Sequence, residues 1–537
     1  MADLRAILPA VAASFVVGLV LSPTISTTEP TSMPEAGSSQ SSPTDFNGDG
    51  FGDLAIGIPG ETVGGRADAG GVGVIYGSAS GLHSAGNQFW TQNSAGIPGG
   101  AELADEFGFS VAAGDINGDG FSDTAVGVPL EDWHAEDAGA VNVMYGSAAG
   151  LTSEGSQVWS QDSPGVLGGQ EQGDQFGRSL ALGDFNGDGF ADLAVGVPFE
   201  AIRSGDQAGA VNVLYGSASG LTAAGNQLWH QDSRGMGGTA EAGDFFGFAL
   251  AAADFNDDTF VDLAVGVPGE DPPVDAGSVH IIYGSPNGLT SAGDRIWTQR
   301  SNGIGGAAEK GDMFGYSLAS GDLNGDGFAD LAVGVPFEAI GSDHRAGAVN
   351  VIYGSPSGLI AAGNHVWHQD SGAIRDTAEP YDEFAFALAS GDFNGDGFWD
   401  LAAGVPGEGP PTKMGAANVI YGSAGGLRSA GNQIWSQDSP GIQGTGEAFD
   451  LLAFSLVAAD FGLSPEMDLV LGVPFEDVSG ATDAGAVSVI YGSPDGLSAT
   501  GNRIWHQDSA GIRDAAEPGD MFAFALGAAR LGAGPTP

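Results

Sequence analysis

Short apolar runs rich in branched side chains recur along most of this chain, separated by clusters of Gly, Asp, Asn and Ser. Runs such as Asp192-Leu-Ala-Val-Gly-Val197 are too short for a buried helix and read as buried strands. Four such segments form one unit. In order they are Phe-Gly-Phe-Ser-Val-Ala (107–112), a run of the Asp192–Val197 type, Ala-Gly-Ala-Val-Asn-Val-Ile-Tyr (346–353) and Asn-Gln-Phe-Trp-Thr-Gln (87–92). Four strands in about 69 residues, with no amphipathic helical stretch between them, predict one blade of a β-propeller.

The unit recurs from Asp45 onward. A polar loop between its first two strands begins at Asp45, Asp115, Asp184, Asp254, Asp322, Asp392 and, in altered form, Asp460, with spacings of 70, 69, 70, 68, 70 and 68 residues. Each unit also carries a Tyr-Gly-Ser strand end and a Trp strand, which absorb seven of the nine Tyr and seven of the nine Trp. Rings recurring at fixed phase are expected to pack between neighbouring units. The first unit starts at its loop with no Phe-Gly strand ahead of it, while Met521–Ala529 forms a Phe-Gly-type strand with no loop behind it. The expected fold is therefore all-β, a seven-bladed β-propeller of four-stranded blades, closed by pairing of the C-terminal strand with the first blade.

The loop has its own chemistry. In Asp184-Phe-Asn-Gly-Asp-Gly-Phe-Ala-Asp192, side-chain oxygens stand at positions 1, 3, 5 and 9 and a free backbone carbonyl at 7. This alternation suits Ca²⁺, which takes six to eight hard oxygens. Gly187 and Gly189 allow the cramped backbone that closes so short a loop. Three carboxylates held this close repel by roughly 1 kcal/mol per pair even in water, so the arrangement calls for a cation. Position 12, where a helix-loop-helix calcium hand places a Glu, is Val195 inside an apolar run, so this loop joins two strands.

Composition narrows the function classes. The formal charge is -53, from 68 acidic and 15 basic residues, with Lys310 and Lys413 the only lysines. Such a surface repels nucleic acid and anionic lipid and suits cations or basic partners. With no Cys, neither disulfides nor a thiolate metal site is available. Residues 1–26 read as a signal peptide, with an uncleaved anchor as the alternative, and 27–44 as a Ser/Thr/Pro-rich linker. The propeller is expected over 45–531 and a tail over 532–537. The protein is thus expected to be secreted or held at the cell surface or envelope, and monomeric.

The Phe107-Gly108 pair, the aspartate loop and Gly-Val-Pro at 127–129, repeated together, resemble the FG-GAP repeats of the integrin α-subunit N-terminal propeller and its bacterial relatives. The resemblance spans Asp45 to about Leu531. It implies Ca²⁺ in the loops between first and second strands, and partner binding on the opposite face. The implied metal positions are Asp45, Asn47, Asp49, Phe51 and Asp53 in blade one, and Asp115, Asn117, Asp119, Phe121 and Asp123 in blade two. Blade three supplies Asp184, Asn186, Asp188, Phe190 and Asp192; blade five Asp322, Asn324, Asp326, Phe328 and Asp330; blade six Asp392, Asn394, Asp396, Phe398 and Asp400. The Phe residues contribute carbonyls only. Blade four keeps Asp254, Asn256, Asp258, Phe260 and Asp262 but replaces both glycines, by Asp257 and Thr259. Blade seven has lost positions 3 and 5, to Gly462 and Ser464, and is expected to hold no ion, leaving five or six sites. Leg domains, a later membrane helix and an inserted adhesion domain, which integrins carry, are not found in this sequence, so a free-standing propeller is expected.

An active site usually breaks repeat symmetry, because one pocket needs one constellation. His230, His368 and His506 repeat at one place after the blade Trp and read as surface strand positions, and no Ser-His-Asp set stands out. The asymmetry lies in the loops after second strands: Leu130–Asp137 with Trp133 and His134, and the apolar-acidic tips at Phe199–Arg203 and Phe337–Ile340. Trp133 and His134 are the candidate ligand-binding residues. Together these features predict a module binding an extracellular protein or glycan, with a hydrolase acting on the propeller face or in the central channel as the alternative.

Overall fold

The computed structural model describes residues 44–527 other than 204 and 410. The expected signal peptide, the tail and nearly all of the linker lie outside these residues. Among the described residues, strands are the regular elements, arranged as seven separate four-stranded antiparallel sheets in the order inner, second, third, outer. Blade one shows the closure. Its second strand, Leu54–Ile58, pairs on one side with Gly71–Tyr76 and on the other with Ala525–Gly527 from the far end of the chain, in the register Ala55↔Gly527, Ile56↔Leu526 and Gly57↔Ala525. The two termini thus share one sheet, and the second strand of blade one is paired on both sides.

Burial follows position in the blade. Second and third strands, such as Asp192–Val197 and Ala210–Tyr215, are buried along their whole length, because both faces pack on neighbouring blades. That is why they read as continuous apolar runs, not as alternating ones. Outer strands such as Thr222–Trp229 are partly exposed. The repeated Tyr does join blades: Tyr76 Oη accepts the Leu151 N–H at 3.2 Å, and Tyr491 Oη accepts the Leu82 N–H at 3.2 Å across the closure.

Around the axis, the residue immediately after each Phe-Gly-type pair builds a collar of buried rings. Phe248, Tyr316, Phe386, Phe454, Phe524 and Phe109 follow one another with centroids 5.1–5.3 Å apart. The seventh place holds Arg178, whose guanidinium lies 4.8 Å from the Phe109 ring and 5.2 Å from Phe199. Each buried ring contributes roughly 1.5–3 kcal/mol of burial free energy. Because the strands run alternately up and down, inner-to-second and third-to-outer connections gather at one end of the ring. Second-to-third and blade-to-blade connections gather at the other.

Candidate metal loops and binding face

Each aspartate loop is wrapped around its first carboxylate. In blade three, Asp184 Oδ1 accepts the N–H groups of Gly187 (2.7 Å) and Asp188 (3.0 Å), and Oδ2 accepts that of Gly189 (2.8 Å). Asn186 Oδ1 accepts from Asp188 N–H and Asp188 Oδ1 from Phe190 N–H. Asp192, at position 9, is fully buried: Oδ2 accepts the Phe185 N–H and Oδ1 the Gly216 N–H, each at 2.9 Å. Burial, reinforced by the charges of Asp184 and Asp188, pushes its carboxyl up to about 8. Asp53, Asp123 and Asp400 are pushed up to about 8 for the same first reason, and Asp262 and Asp330 well above the usual range. Converging carboxylates that resist ionisation in the bare protein are a donor set that fits a hard divalent cation.

The loops also hold one another. The position-8 N–H of each loop donates to the position-1 carbonyl of the loop before it: Ser122 to Asp45, Ala191 to Asp115, Val261 to Asp184, Trp399 to Asp322 and Met467 to Asp392, at 2.9–3.1 Å. Ala329 to Asp254 is longer at 3.4 Å, and Gly52 to Asp460 closes the circle at 2.8 Å. The position-7 Phe packs against the position-4 glycine of the preceding loop. A Cβ on Gly48 would lie 2.6 Å from the Phe121 ring, and Gly48 has φ +75, so no larger residue is accommodated without a shift.

Blade four keeps this path with non-glycine residues in left-handed conformations, Asp257 at φ 57 and Thr259 at φ 77. Asp254 still accepts from Asp258 and Thr259, while Asn256 Oδ1 is buried without a partner. In blade seven Asp468 still accepts from Phe461 and Gly492 at 2.9 Å, although Gly462 and Ser464 offer no side-chain carboxylate or amide. Ser464 Oγ instead donates to the Gly492 carbonyl, so this loop's geometry is kept by hydrogen bonds.

On the opposite face every blade boundary carries a unit that the sequence reading missed. The Gln two residues after each blade Trp donates Nε2 to the Glu that follows Pro-x at the end of the next blade's second strand. The pairs are Gln92–Glu131, Gln161–Glu200, Gln231–Glu270, Gln299–Glu338, Gln369–Glu408, Gln437–Glu476 and, across the closure, Gln507–Glu61. A third group joins each, an Asp such as Asp174 or Asp382, whose Oδ2 accepts the N–H of the Glu three residues earlier at 2.6 Å. Burial pushes Glu131, Glu200, Glu270, Glu338 and Glu476 up to about 7. Among the described residues, carboxylate trios with oxygens within 4.8 Å of one another stand at two of these boundaries. The signal was present in the chain as a Pro-x-Glu and a Trp-x-Gln in all seven units.

This revises the reading of the second-strand loops. Glu131, Glu200 and Glu338 are buried structural acids, and Phe199 and Phe337 turn inward onto the aromatic collar, so they are not exposed tips. Trp133 is half-buried with its ring 6.3 Å from His134, and His134 Nδ1 meets Asp162 Oδ2 at 3.1 Å. His230, His368 and His506 lie just beyond the outer strands and are half-buried. The recess on this face lies elsewhere, across blades five and six. It is a cavity of about 570 Å³ floored by Tyr316, Phe337, Phe386 and Leu451, with Lys310, His344, Arg345 and Lys413 in its walls. Arg345 is fixed by Glu383 at 2.8 Å and by the Phe337 ring at 4.2 Å. A second recess of about 320 Å³ continues it past Phe449, which is 60% exposed. Neither Trp133 nor His134 lines these recesses.

The family model for the FG-GAP repeat matches residues 38–75, 107–144, 176–214, 246–282, 314–352 and 384–422. The chain is 31% identical over 239 residues to integrin alpha-PS2 of Drosophila melanogaster, covering 43% of this chain and 15% of that protein. It is 33% identical over 188 residues to the phosphatidylinositol-glycan-specific phospholipase D of Homo sapiens, covering 34% of this chain and 21% of the relative. The chain therefore spans about a fifth or less of the length of these relatives. Among solved structures, the exotype rhamnogalacturonan lyase YesX aligns at a TM-score of 0.37 and 10% identity, over 92% of this chain and 80% of that one, a likeness that bears no argument. The six matched repeats, the seven closed blades and the similarity to integrin α subunits identify the chain as an FG-GAP repeat β-propeller protein.

Proposed function

We propose that this protein is an exported, calcium-stabilised propeller that works as a binding or adhesion module, receiving an extracellular protein or glycan on the face opposite the aspartate loops. The observation that carries this reading is the recess across blades five and six. In a chain of charge -53, both lysines, Arg345 and His344 stand around one apolar floor. A cavity of several hundred Å³ with an apolar base and a few placed charges is the usual form of a ligand site. Glu309, Asp312 and Glu383 share the lining and Glu383 already holds Arg345, so Lys310 and Lys413 are the groups that would meet an acidic group on a ligand whose apolar face covers the floor. The central channel is less suited to acid/base chemistry, since its collar is built of buried rings and one arginine. Five or six of the aspartate loops, with their position-7 carbonyls, would hold Ca²⁺ and tie each inner strand to the second.

Binding of purified protein to arrays of acidic and neutral glycans and to acidic peptides, in calcium, tests the reading. Preference for acidic ligands is expected. The double variant Lys310→Ala/Lys413→Ala should weaken binding roughly tenfold, the equivalent of about 1.4 kcal/mol, without moving the melting temperature. Indifference to ligand charge would overturn the assignment of this recess. Turnover of an ester, phosphodiester or glycoside, lost on changing one residue of this face, would overturn the binding-module reading itself.

A further inference from the structure

Two of the seven blade boundaries differ from the other five in one substitution. After each outer strand, five connections carry Gly99, Gly168, Gly238, Gly306 or Gly444, all with φ between 83 and 107. The other two carry Asp376 and Asp514, which keep the left-handed backbone at φ 78 and 82. A side chain there has a fixed direction: a Cβ on Gly99, Gly168 or Gly306 would sit 3.3, 3.0 or 2.8 Å from the Nε2 of that boundary's glutamine. Asp514 follows the same line, its Oδ2 lying 3.4 Å from Gln507 Nε2. These two connections share the pattern Ile-Arg-Asp-x-Ala-Glu-Pro-x-Asp, at 374–382 and 512–520.

At these same two boundaries, and among the described residues at these alone, three carboxylates bring oxygens within 4.8 Å of one another: Glu379, Asp382 and Glu408 at one, Glu61, Glu517 and Asp520 at the other. Asp382 and Asp520 are 0% and 1% exposed. Each accepts a backbone N–H at Oδ2, at 2.6 Å, while its Oδ1 is buried with no hydrogen-bond partner. The amide oxygens of Gln369 and Gln507 are buried and unpartnered too, but so are those of the glutamines at the other five boundaries, so the orphaned aspartate oxygen beside the carboxylate trio is what sets these two apart. A buried oxygen left without a donor costs about 1–3 kcal/mol unless something satisfies it. What would satisfy an oxygen among carboxylates is a cation.

We propose that these two boundaries are a second class of divalent-cation site, at the opposite end of the propeller from the aspartate loops. One is built from Asp376, Glu379, Asp382 and Glu408, the other from Asp514, Glu517, Asp520 and Glu61. The donors are all hard oxygens, from four carboxylates, so the class of ion is Ca²⁺ and not a thiolate- or imidazole-seeking metal. Each site joins the connection entering a blade to that blade's own second strand, so an ion there clamps the boundary. Glu517 is exposed, which leaves a path for entry.

Equilibrium dialysis of the full chain against calcium, counting bound ions per chain, tests this against the double variant Asp376→Gly/Asp514→Gly. Glycine occupies the matching place at the other five boundaries, so the variant is expected to fold, which circular dichroism checks. It should bind two fewer ions than the parent, one for each cluster. A second variant, Asp382→Asn/Asp520→Asn, should lose the same two. Unchanged ion counts in both variants would overturn the proposal. Asp188→Ala serves as the contrast, since it should cost one ion of the loop class and leave the boundary ions in place. A parent binding two ions, with none lost in Asp188→Ala, would sustain these sites while defeating the loop reading.

Discussion

The aspartate at the ninth loop position has a use in the fold apart from any ion, and blade seven isolates it. Asp468 is buried and accepts two backbone N–H bonds, from Phe461 and Gly492, in a loop that has lost its third- and fifth-position ligands. Its place is therefore held by the fold. Replacing it with Ala strands two buried donors and is expected to cost about 2–3 kcal/mol, equally with calcium and with chelator. Asp188, by contrast, is exposed and bonds only locally, so Asp188→Ala should lower stability in calcium and change little in chelator. Thermal melts of both variants under both conditions check the pair; a calcium-dependent loss in Asp468→Ala would contradict its assignment as a staple. The wrapping of each loop around its aspartates was legible in the sequence because the residues involved are neighbours in the chain. The Gln–Glu pairs were not, because their partners stand 39 residues apart in adjacent blades, as Gln161 and Glu200 do, and meet only once the blades pack.

At the scale of the strand, the fold depends on one long-range pairing. Ala525–Gly527 completes the first blade against Leu54–Ile58, and its side chains enter the same packing as those of blade two. Ending the chain after Phe524 would strip this strand, expose the second strand's inner edge and uncover the apolar side chains around Leu526. On the order of 5 kcal/mol should be lost, and the protein should self-associate through the open edge. Size-exclusion chromatography and a melt check this; a monomer as stable as the parent would show that closure does not hold the ring. This pairing was readable from the sequence, because the counts of loops and Phe-Gly-type strands balance only if the last strand serves the first blade. The direction of the second-strand loops was not. Phe199 and Phe337 look like surface tips beside their acids, yet Pro198 and Pro336 end the strands so that each ring drops onto the collar and each Glu turns into the blade boundary. Arg178 stands where six blades place an aromatic ring, and its planar guanidinium stacks in that position while donating to Gln175 Oε1 at 2.8 Å.

For the whole molecule, acid groups buried at both ends of the propeller set an unusual dependence on pH. Glu131, Glu200, Glu270, Glu338 and Glu476 rise from an ordinary 4.5 to about 7, and Asp53, Asp123, Asp192 and Asp400 from 3.8 to about 8, with burial the first cause in each. A carboxyl whose folded pKa lies above its unfolded one leaves the folded state holding more protons. Stability then falls as pH rises through the window between the two values. In chelator the melting temperature should therefore be highest near pH 5 and decline toward pH 8, the reverse of a protein whose acids are held by bases. Calcium in the aspartate loops would take the place of the protons on Asp53, Asp123, Asp192 and Asp400 and needs their ionised forms, so its stabilising effect should grow over the same interval. Melts at pH 5, 6, 7 and 8, each with calcium and with chelator, should give two curves that diverge as pH rises. Parallel curves would mean that ions and protons do not compete for the same buried oxygens.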